Sequence, residues 1–294
     1  MRLRPLEVVN FGTLAVLSAL TLWLNGRVPE AGSMLLRYAA MAAGLVAAAA
    51  AARREDRLPA AARILLNFYP IAFIPILYES LGPLISAARP VALDDLLIAA
   101  DRALLGTDPT VWLQRFVRPA LTDLFFVAYL TYYFIAIALG AVLWLRSRPA
   151  ARRFIFTLTV SYLISYAGYF FLPALGPRVA LASLHTVPLE TTALSRTVSA
   201  TLDELERTKF DVFPSGHTMI AVVVLIAAFQ RARDAFWWLL PIAACLVVST
   251  VYCRYHYVVD VVAGALLAFV AVPLGDRLYD RWAGAQGLRV PDAP

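Results

Sequence analysis

Two of the three histidines in this sequence stand where their type and spacing could support chemistry. His217 closes the tetrapeptide 214–217, Pro-Ser-Gly-His, which leads directly into an apolar run. Proline and glycine shape the entry to a helix, a serine oxygen can cap its first amides, and the helix dipole at that end favours an anion. The tetrapeptide therefore predicts a helix start that suits phosphate.

The second of these histidines, His256, is followed four residues later by Asp260 on a predicted helix. Residues at this spacing share a helix face, so the carboxylate can hold the proton of one imidazole nitrogen and turn the other nitrogen outward. This is the geometry of an activated histidine nucleophile. His256 lies 39 residues after His217. One helix can cross a membrane and the next can return over that length, so we expect both histidines at one face.

Two arginines accompany the histidines. Arg254 stands two residues before His256, and Arg178 ends the sequence 175–178, Leu-Gly-Pro-Arg. Both are expected at the outer ends of neighbouring helices, where their guanidinium forks can bind phosphate oxygens in pairs. The sequence thus predicts four groups that converge at one depth.

The helices that position these groups are expected to lie in lipid. Hydrophobic residues make up 61% of the 294 residues and the mean hydropathy is +0.71, which leaves too little polar surface for a water-soluble globule. A hydrocarbon core needs about 20 apolar residues per helix. Eight stretches meet this need approximately, at 8–24, 34–52, 64–84, 121–145, 154–172, 218–229, 235–251 and 257–274. We predict an all-α, polytopic membrane bundle of about eight transmembrane helices, with a kink at Pro70 and Pro75 in the third.

Charge placement predicts the topology. The net charge of +6 comes almost wholly from arginines scattered between the apolar runs, so no basic patch for nucleic acid is expected. Every second connection is basic, which places both termini in the cytoplasm and the histidines on the periplasmic or external face. The basic connections carry Arg2, Arg4, Arg53, Arg54, Arg57, Arg63, Arg146, Arg148, Arg152, Arg153, Arg231, Arg233, Arg277 and Arg281. No small-x-small cleavage site follows the first stretch, so it is predicted to be a retained helix.

Two long outer segments remain. Residues 89–118 have leucines at helical spacing among charges, which predicts an amphipathic helix in the membrane interface. Its acidic residues Asp94, Asp95 and Asp101 are interpreted as solvated carboxylates rather than a metal site. Residues 173–212 form the polar loop before His217, and His185 within it is interpreted as an ordinary loop histidine.

The motifs together resemble the type-2 phosphatidic acid phosphatase superfamily, whose active site is shared with vanadium haloperoxidases. The resemblance is carried by 214–217, by 254–264 (Arg-Tyr-His-Tyr-Val-Val-Asp-Val-Val-Ala-Gly) and by 176–178 (Gly-Pro-Arg), and it covers roughly 121–274. It implies a six-helix catalytic core. We therefore expect residues 1–60 to form two N-terminal transmembrane helices, 61–276 the catalytic domain and 277–294 a cytoplasmic tail.

The resemblance also implies roles for the site residues. His256 would attack phosphorus to form a phosphohistidine, Asp260 would orient it, and His217 would protonate the leaving group. The two arginines would hold the phosphate oxygens, with hydrogen bonds from Ser215 or the Gly216 amide. No cofactor or metal is expected, and the partners would be a lipid phosphate or phosphodiester substrate and membrane lipids.

This sequence departs from the common family pattern at two places. Phe171 and Val179 occupy the positions of a lysine and a proline around Arg178, and residues 249–250, Ser-Thr, stand where a Ser-Arg pair is common. The variant pattern looks like the branch that contains inositol phosphorylceramide synthases. The outer segment also resembles this branch, at Asp95, Asp101, Gly106, residues 108–109 and Trp112.

Three functions follow from these motifs. The first is a metal-independent lipid phosphatase of a bacterial inner membrane, and the second is a transferase that passes a phosphoryl group or headgroup phosphate to another lipid. The third is a lipid-phosphate binder or transporter, which the positioned nucleophile and acid argue against. Tyr129, Tyr132, Tyr133, Tyr166 and Tyr169 could line a lipid pocket or belong to ordinary interface packing.

Overall fold

The computed structural model describes residues 3–205, 208 and 210–285. Within these residues the secondary structure is helical and no strand is present. The α-helices are α1 Pro5–Trp23, α2 Ala31–Ala52, α3 Ala60–Phe68, α4 Pro70–Ala88, α5 Asp94–Leu105, α6 Pro109–Trp112, α7 Pro119–Leu130, α8 Tyr132–Arg146, α9 Arg148–Phe171, α10 Pro177–Ala180, α11 Ala193–Leu205, α12 Gly216–Arg231, α13 Arg233–Tyr252 and α14 Val258–Ala285. Short 3₁₀ turns cover Glu55–Arg57, Leu113–Phe116 and Ala182–Leu184. The predicted all-α helical bundle is confirmed.

All eight predicted apolar stretches lie in helices, although they differ in length. Six segments of the described chain are long and apolar enough to cross a membrane by themselves: Pro5–Trp23, Ala31–Ala52, Ala60–Ala88, Arg148–Phe171, Arg233–Tyr252 and Val258–Gly284. The helices α7 and α8 are long and apolar enough to cross a membrane only when they are taken together, and a bend of 48° lies between them. The eighth, α12, has 16 residues.

The third segment is interrupted at Pro70, one of the two prolines that were predicted to kink it. Helix α3 ends at Phe68 and α4 begins at Pro70, while Pro75 and Pro83 lie inside α4. Proline has no N–H for the ladder and its ring crowds the carbonyl four residues earlier, so it ends one helix and suits the first position of the next.

Helix α12 is surrounded by other helices. It packs against α8, α9, α13 and α14, and its buried residues include Ala221, Ala227 and Ala228. Small residues let neighbouring backbones approach closely in a membrane, where lipid offers no hydrophobic drive for helix association. The His217 end of α12 therefore lies inside the bundle.

The first and last helices of the described chain extend the bundle. Helix α1 packs on α2 and also contacts α9 and α14. The predicted tail, 277–294, begins inside α14, because that helix continues to Ala285 rather than ending near residue 274. Arg2, Lys209 and residues 286–294 lie outside the described residues.

Candidate functional site

The predicted histidines and aspartate form one continuous chain of contacts. His217 Nδ1 lies 3.1 Å from His256 Nε2, and His256 Nδ1 lies 3.2 Å from Asp260 Oδ2. Asp260 is fully buried, and its Oδ2 also accepts a hydrogen bond from the Tyr257 N–H at 3.2 Å. A buried carboxylate with these two donors fixes the orientation of the His256 ring.

A tight turn between α13 and α14 places His256. The N–H groups of Tyr255 and His256 both donate to the Thr250 carbonyl, at 3.0 and 3.1 Å, and Arg254 adopts the left-handed backbone conformation with φ of 68°. His256 therefore lies just before α14 begins at Val258, whereas Asp260 lies in the first turn of that helix. Sequence spacing predicted their contact, but it placed both residues on the helix.

The start of α12 packs directly on the start of α14. Ser215 Oγ caps α12 by accepting a hydrogen bond from the Thr218 N–H at 3.3 Å, and the Ser215 N–H donates to the Asp260 carbonyl at 3.1 Å. A Cβ atom on Gly264 would lie 2.4 Å from the Ser215 carbonyl oxygen, and one on Gly216 would lie 2.6 Å from Tyr169 Oη. Gly264 therefore lets the two helix starts approach this closely, and Gly216 lets the start of α12 approach α9.

Aromatic rings enclose His217. The ring centroids of Tyr132 and Tyr129 lie 4.1 and 4.6 Å from that of His217, and Tyr129 also packs on Tyr255 at 4.7 Å. The sequence indicated aromatic residues in this region but not which of them contact the histidine. The rings limit how far His217 can turn.

The two predicted phosphate-binding arginines share a backbone contact, since the Arg178 N–H donates to the Arg254 carbonyl at 2.8 Å. Arg178 Nη1 donates to Tyr255 Oη at 2.9 Å, next to His256 in sequence. The Arg254 side chain is nearly buried and donates from Nη2 to the Val187 carbonyl at 2.6 Å. The backbone thus brings both arginines to the His256 turn.

The guanidinium of Arg178 is also held by the outer segment around α11. Asp203 accepts from Nη1 at 3.0 Å and from Nη2 at 3.3 Å, Ser199 accepts from Nη2 at 3.0 Å, and Glu190 accepts from the same nitrogen at 3.4 Å. The Asp203 carboxylate therefore binds the two guanidinium nitrogens of Arg178 that were predicted to bind phosphate oxygens.

Asp94 ties two site loops together. Its carboxylate accepts hydrogen bonds at 2.8 Å from the N–H groups of Leu175 and Gly176, just before Arg178, and from Tyr257 Oη, just after His256. Asp94 is only 6% exposed. The interpretation of this aspartate as a solvated carboxylate is wrong, because the face of α5 that carries Asp94 packs across the loops instead of facing water.

Asp101 lies seven residues after Asp94 on the same face of α5 and is 1% exposed. Its carboxylate accepts from the Val259 N–H at 2.8 Å and the Val258 N–H at 3.0 Å, which are the first amides of α14. Burial raises the pKa of Asp101, while the two backbone hydrogen bonds act in the opposite direction. The solvated interpretation is wrong here too, although it fits Asp95, which is exposed.

His185 lies beside the site rather than in it. Its Nε2 lies 3.1 Å from Thr110 Oγ1. Burial, together with the nearby charge of Arg254, lowers the pKa of His185 to about 4. This histidine is therefore neutral near pH 7, as suits a structural loop contact.

A cavity of about 720 Å³ reaches the site from within the bundle. Its walls come mainly from α4, α8 and α9, and His217 lies at one end. Of the five tyrosines considered for a lipid pocket, four line it: Tyr132, Tyr133, Tyr166 and Tyr169.

The donor groups of the site do not form a metal-binding set. In the part of the chain that the structure describes, no group of three or more histidine, cysteine, aspartate or glutamate side chains could hold a metal ion. The chemistry available to these residues is nucleophilic attack, proton transfer and anion binding by histidine, carboxylate and arginine.

Comparison with known proteins places this site in a family. A PA-phosphatase related-family protein of Dictyostelium discoideum is 29% identical over 116 residues, which cover 38% of this chain and 21% of that protein. The chain thus matches about a fifth of the length of this relative. Comparison with solved structures finds no match. Residues 95–274, more than half of the chain, match the PAP2 superfamily, and the chain belongs to that superfamily.

Proposed function

We propose that the protein is a membrane lipid phosphatase that cleaves a lipid-linked phosphate through a phosphohistidine at His256. The observation that carries the proposal is the buried chain from Asp260 through His256 to His217, with the two imidazole nitrogens 3.1 Å apart. A binding site for phosphate alone would need the arginines but not a nucleophile aligned with a carboxylate on one side and an imidazole on the other.

The first step forms a bond between His256 Nε2 and phosphorus while the bond from phosphorus to the lipid oxygen breaks. Asp260 holds the proton on Nδ1 and stabilises the positive charge on the ring. His217 gives its proton to the departing lipid oxygen, so the lipid leaves as an alcohol. In the second step water attacks phosphorus, His217 takes a proton from it, and the nitrogen–phosphorus bond breaks to release phosphate.

The phosphate oxygens are proposed to bind Arg178, Arg254, Ser215 and the Gly216 amide. A reacting nitrogen and phosphorus approach to about 3–3.5 Å before attack, so the substrate must separate the two imidazole nitrogens as it enters. Arg178 must also exchange Asp203 for a phosphate oxygen. Binding of the phosphate thus replaces two contacts of the unliganded site.

No cofactor or metal is assigned to this reaction. The arginines supply positive charge to the phosphate, and His256 supplies the nucleophile without the need to activate water in the first step. We therefore propose a metal-independent enzyme.

The active site is proposed to face the periplasm or cell exterior of a bacterial inner membrane, with both termini in the cytoplasm. The arginine-rich connections gather at the opposite end of the bundle, where Arg231 binds Asp276 at 2.5 Å and Arg146 binds Asp234 at 2.5 Å. Clustered arginines are typical of the cytoplasmic side. The division into residues 1–60, a catalytic domain of 61–276 and a tail of 277–294 remains part of the proposal.

A transferase is the second candidate. The departures at Phe171, Val179 and residues 249–250 favour the branch that contains inositol phosphorylceramide synthases, in which an alcohol rather than water takes the phosphorus group. The same His256 intermediate, attacked by an alcohol from which His217 takes the proton, would serve this reaction.

The deciding experiment is mass-spectrometric product analysis of purified wild-type protein with lipid phosphates and phosphodiesters, in EDTA, with and without candidate alcohol acceptors. His256→Ala is the test variant and His185→Gln the control, since His185 is the histidine beside the site. Free phosphate and a dephosphorylated lipid from the wild type and His185→Gln alone support the phosphatase. A His256-dependent new phosphodiester supports the transferase. Turnover that survives His256→Ala contradicts both.

A further inference from the structure

Residues 94–118 contact the proposed site from its outer side. This outer segment consists of α5, α6, the 3₁₀ turn Leu113–Phe116 and the residues that connect them to α7. Asp94 accepts hydrogen bonds from the amides just before Arg178, and Asp101 accepts from the first amides of α14. One face of α5 therefore fixes both the loop of the arginine and the helix start beside the nucleophile.

The far end of the outer segment also holds Arg254. Gln114 Oε1 accepts a hydrogen bond from the Val187 N–H at 2.9 Å, and Gln114 Nε2 donates to the Leu184 carbonyl at 3.0 Å. The Val187 carbonyl in turn accepts the hydrogen bond from Arg254 Nη2. The outer segment is thus linked to three parts of the proposed site, and a shift of the segment would move all of them together.

Helix α5 has two further edges besides the face that contacts the site. At about 100° per residue, Leu96 and Leu104 lie on one side of that face, whereas Asp95 and Arg102 lie on the other. The leucines are 59% and 67% exposed, and the two charged residues are exposed as well. A helix with a protein face, an apolar edge and a charged edge fits the boundary between lipid and water.

The depth of α5 in the bundle matches that boundary. The helix follows α4, and the residues before it are fastened to the end of α9: Arg89 Nη1 donates to the Phe171 carbonyl at 3.2 Å, and the Leu93 N–H donates to the Pro173 carbonyl at 2.8 Å. Helices α9 and α14 are long and apolar enough to cross a membrane. Because α5 meets the end of one and the start of the other, its apolar edge lies where these helices leave the hydrocarbon.

An exposed aromatic pair follows α5 in the outer segment. The ring centroids of Trp112 and Phe116 lie 5.0 Å apart, and the two residues are 42% and 45% exposed. The guanidinium carbon of Arg115 lies 4.9 Å from the centre of the Trp112 ring. Tryptophan is enriched where a membrane meets water, because its ring is apolar and its N–H is polar. The pair therefore extends the surface that suits the interface.

The exposed charges of the outer segment are mainly positive. Arg102 is paired with Asp108 at 2.7 Å, so its charge is balanced. Arg115 and Arg118 donate to backbone carbonyls, which carry no net charge. Of the carboxylates in residues 94–118, all of which the structure describes, Asp95 is the one that is exposed. A bilayer surface with anionic headgroups complements this charge.

We propose that the outer segment docks on the anionic headgroups of the leaflet beside the site, and that this contact orders the parts that carry Arg178, Arg254 and His256. Docking places the leucine edge and the aromatic pair in the interface and the two arginines near lipid phosphates. The consequence for turnover rests on the proposed function, whereas the lipid contact does not. The sequence predicted an interfacial helix, and the buried face of that helix adds its link to the site.

Spin labels in nanodiscs that contain phosphatidylglycerol test the docked position. Leu96→Cys, Leu104→Cys and the neighbouring Asp95→Cys are labelled one at a time in a Cys245→Ala background, because Cys253 is buried. Relaxation by oxygen, which concentrates in lipid, should dominate at the two leucine positions. Relaxation by an aqueous nickel chelate should dominate at the aspartate position. Equal access of the nickel chelate to all three labels would refute the docked position.

Hydrogen exchange tests the ordering of the site without relying on catalysis. The amides of residues 175–176 and 258–259 are those that the two buried aspartates of α5 hold. They should exchange more slowly in nanodiscs with phosphatidylglycerol than in nanodiscs of phosphatidylcholine alone. Phosphatidylserine should act in the same way, because the proposed contact depends on charge. No difference between anionic and neutral nanodiscs in the wild type would overturn the proposal.

A pair of matched double variants locates the lipid contact. Arg115→Gln/Arg118→Gln should lose the effect of anionic lipid on exchange. Arg53→Gln/Arg54→Gln is the control, because it removes the same charge from exposed positions between α2 and α3, and it should keep the effect. An equal effect of anionic lipid in the two variants would also overturn the proposal.

Turnover of p-nitrophenyl phosphate adds the readout of activity, since the concentration of this soluble ester does not depend on the bilayer. Anionic lipid should stimulate the wild type and the control by up to roughly thirtyfold, the effect expected for two arginines at a charged surface, and less at high salt. Hydrolysis without any lipid effect on exchange refutes this inference but not the proposed function. A lipid effect on exchange without hydrolysis refutes the function but not the lipid contact.

Discussion

His217 Nδ1 and His256 Nε2 lie 3.1 Å apart, although 39 residues and a complete excursion through α12 and α13 separate them in the chain. Their proximity follows from the close packing of the starts of α12 and α14, which Gly264 permits. The nitrogen that should attack phosphorus and the nitrogen that should protonate the leaving group thus face each other before substrate binds.

The proposed roles predict that alanine substitutions of the two histidines lower activity in different ways. His217→Ala should lower turnover of an alkyl phosphate by about 10²–10⁴-fold, the usual contribution of a general acid or base. The first step with p-nitrophenyl phosphate should be much less affected, because nitrophenolate leaves without a proton. Rapid-mixing measurement of the nitrophenolate burst checks this.

His256→Ala should abolish the nitrophenolate burst and the turnover of both esters. A burst of normal size in His256→Ala, or an equal loss on both esters in His217→Ala, would contradict these roles.

Asp101 should support activity through the start of α14. Asp101→Asn leaves one carbonyl oxygen for the two amides of Val258 and Val259, so the turn that carries His256 should loosen. We expect a loss of stability of about 1–3 kcal/mol and a lower kcat, measured by thermal unfolding in detergent and by steady-state kinetics. Asp95→Asn is the control on the same helix, since Asp95 is exposed, and it should behave as wild type. Equal effects of the two variants would argue against a specific role for Asp101.

Gly264 should tolerate no side chain. A Cβ atom there would lie 2.4 Å from the Ser215 carbonyl oxygen, so Gly264→Ala should force α12 and α14 apart and destabilise the protein by roughly 1–3 kcal/mol. Gly44→Ala is a suitable control, because no atom lies within 4 Å of a Cβ at that position in α2. Thermal unfolding of both variants gives the comparison, and an unchanged midpoint for Gly264→Ala would count against the packing described.

His185 should give stability a pH dependence below neutrality. Its pKa is lowered from 6.5 to about 4 in the folded chain, so the unfolded chain binds more protons between these values. The contribution of His185 to the free energy of unfolding should therefore be fully present above pH 6.5 and be lost as the pH drops from 6.5 towards 4. His185→Gln removes the titrating group, and its unfolding midpoint should depend less on pH in that window. If the unfolding midpoints of the wild type and His185→Gln depend on pH in the same way, His185 is not the source of the pH dependence.

Sequence reasoning was most accurate where local spacing carries the information. Apolar runs predicted the helices, since a helix in lipid must satisfy its backbone internally and present apolar side chains. The four-residue interval from His256 to Asp260 predicted their contact. Connection lengths predicted that His256 returns to the face where His217 lies.

Local spacing in the sequence did not predict contacts between distant segments. Asp94 and Asp101 look like solvated charges of an amphipathic helix, yet they bind backbone amides 81 to 158 residues away in the chain. Arg178 looks available for phosphate, yet Asp203 holds its guanidinium.

The sequence by itself determined that this is a membrane helical bundle with a histidine–aspartate pair and a second histidine at one face, because those features depend on composition and short intervals. Tertiary structure alone decided which side chains close around His217, which carboxylates fix the His256 turn, and where a cavity opens beside His217. The packing of α4, α5, α8 and α9 sets those relations, and no periodicity along the chain encodes them.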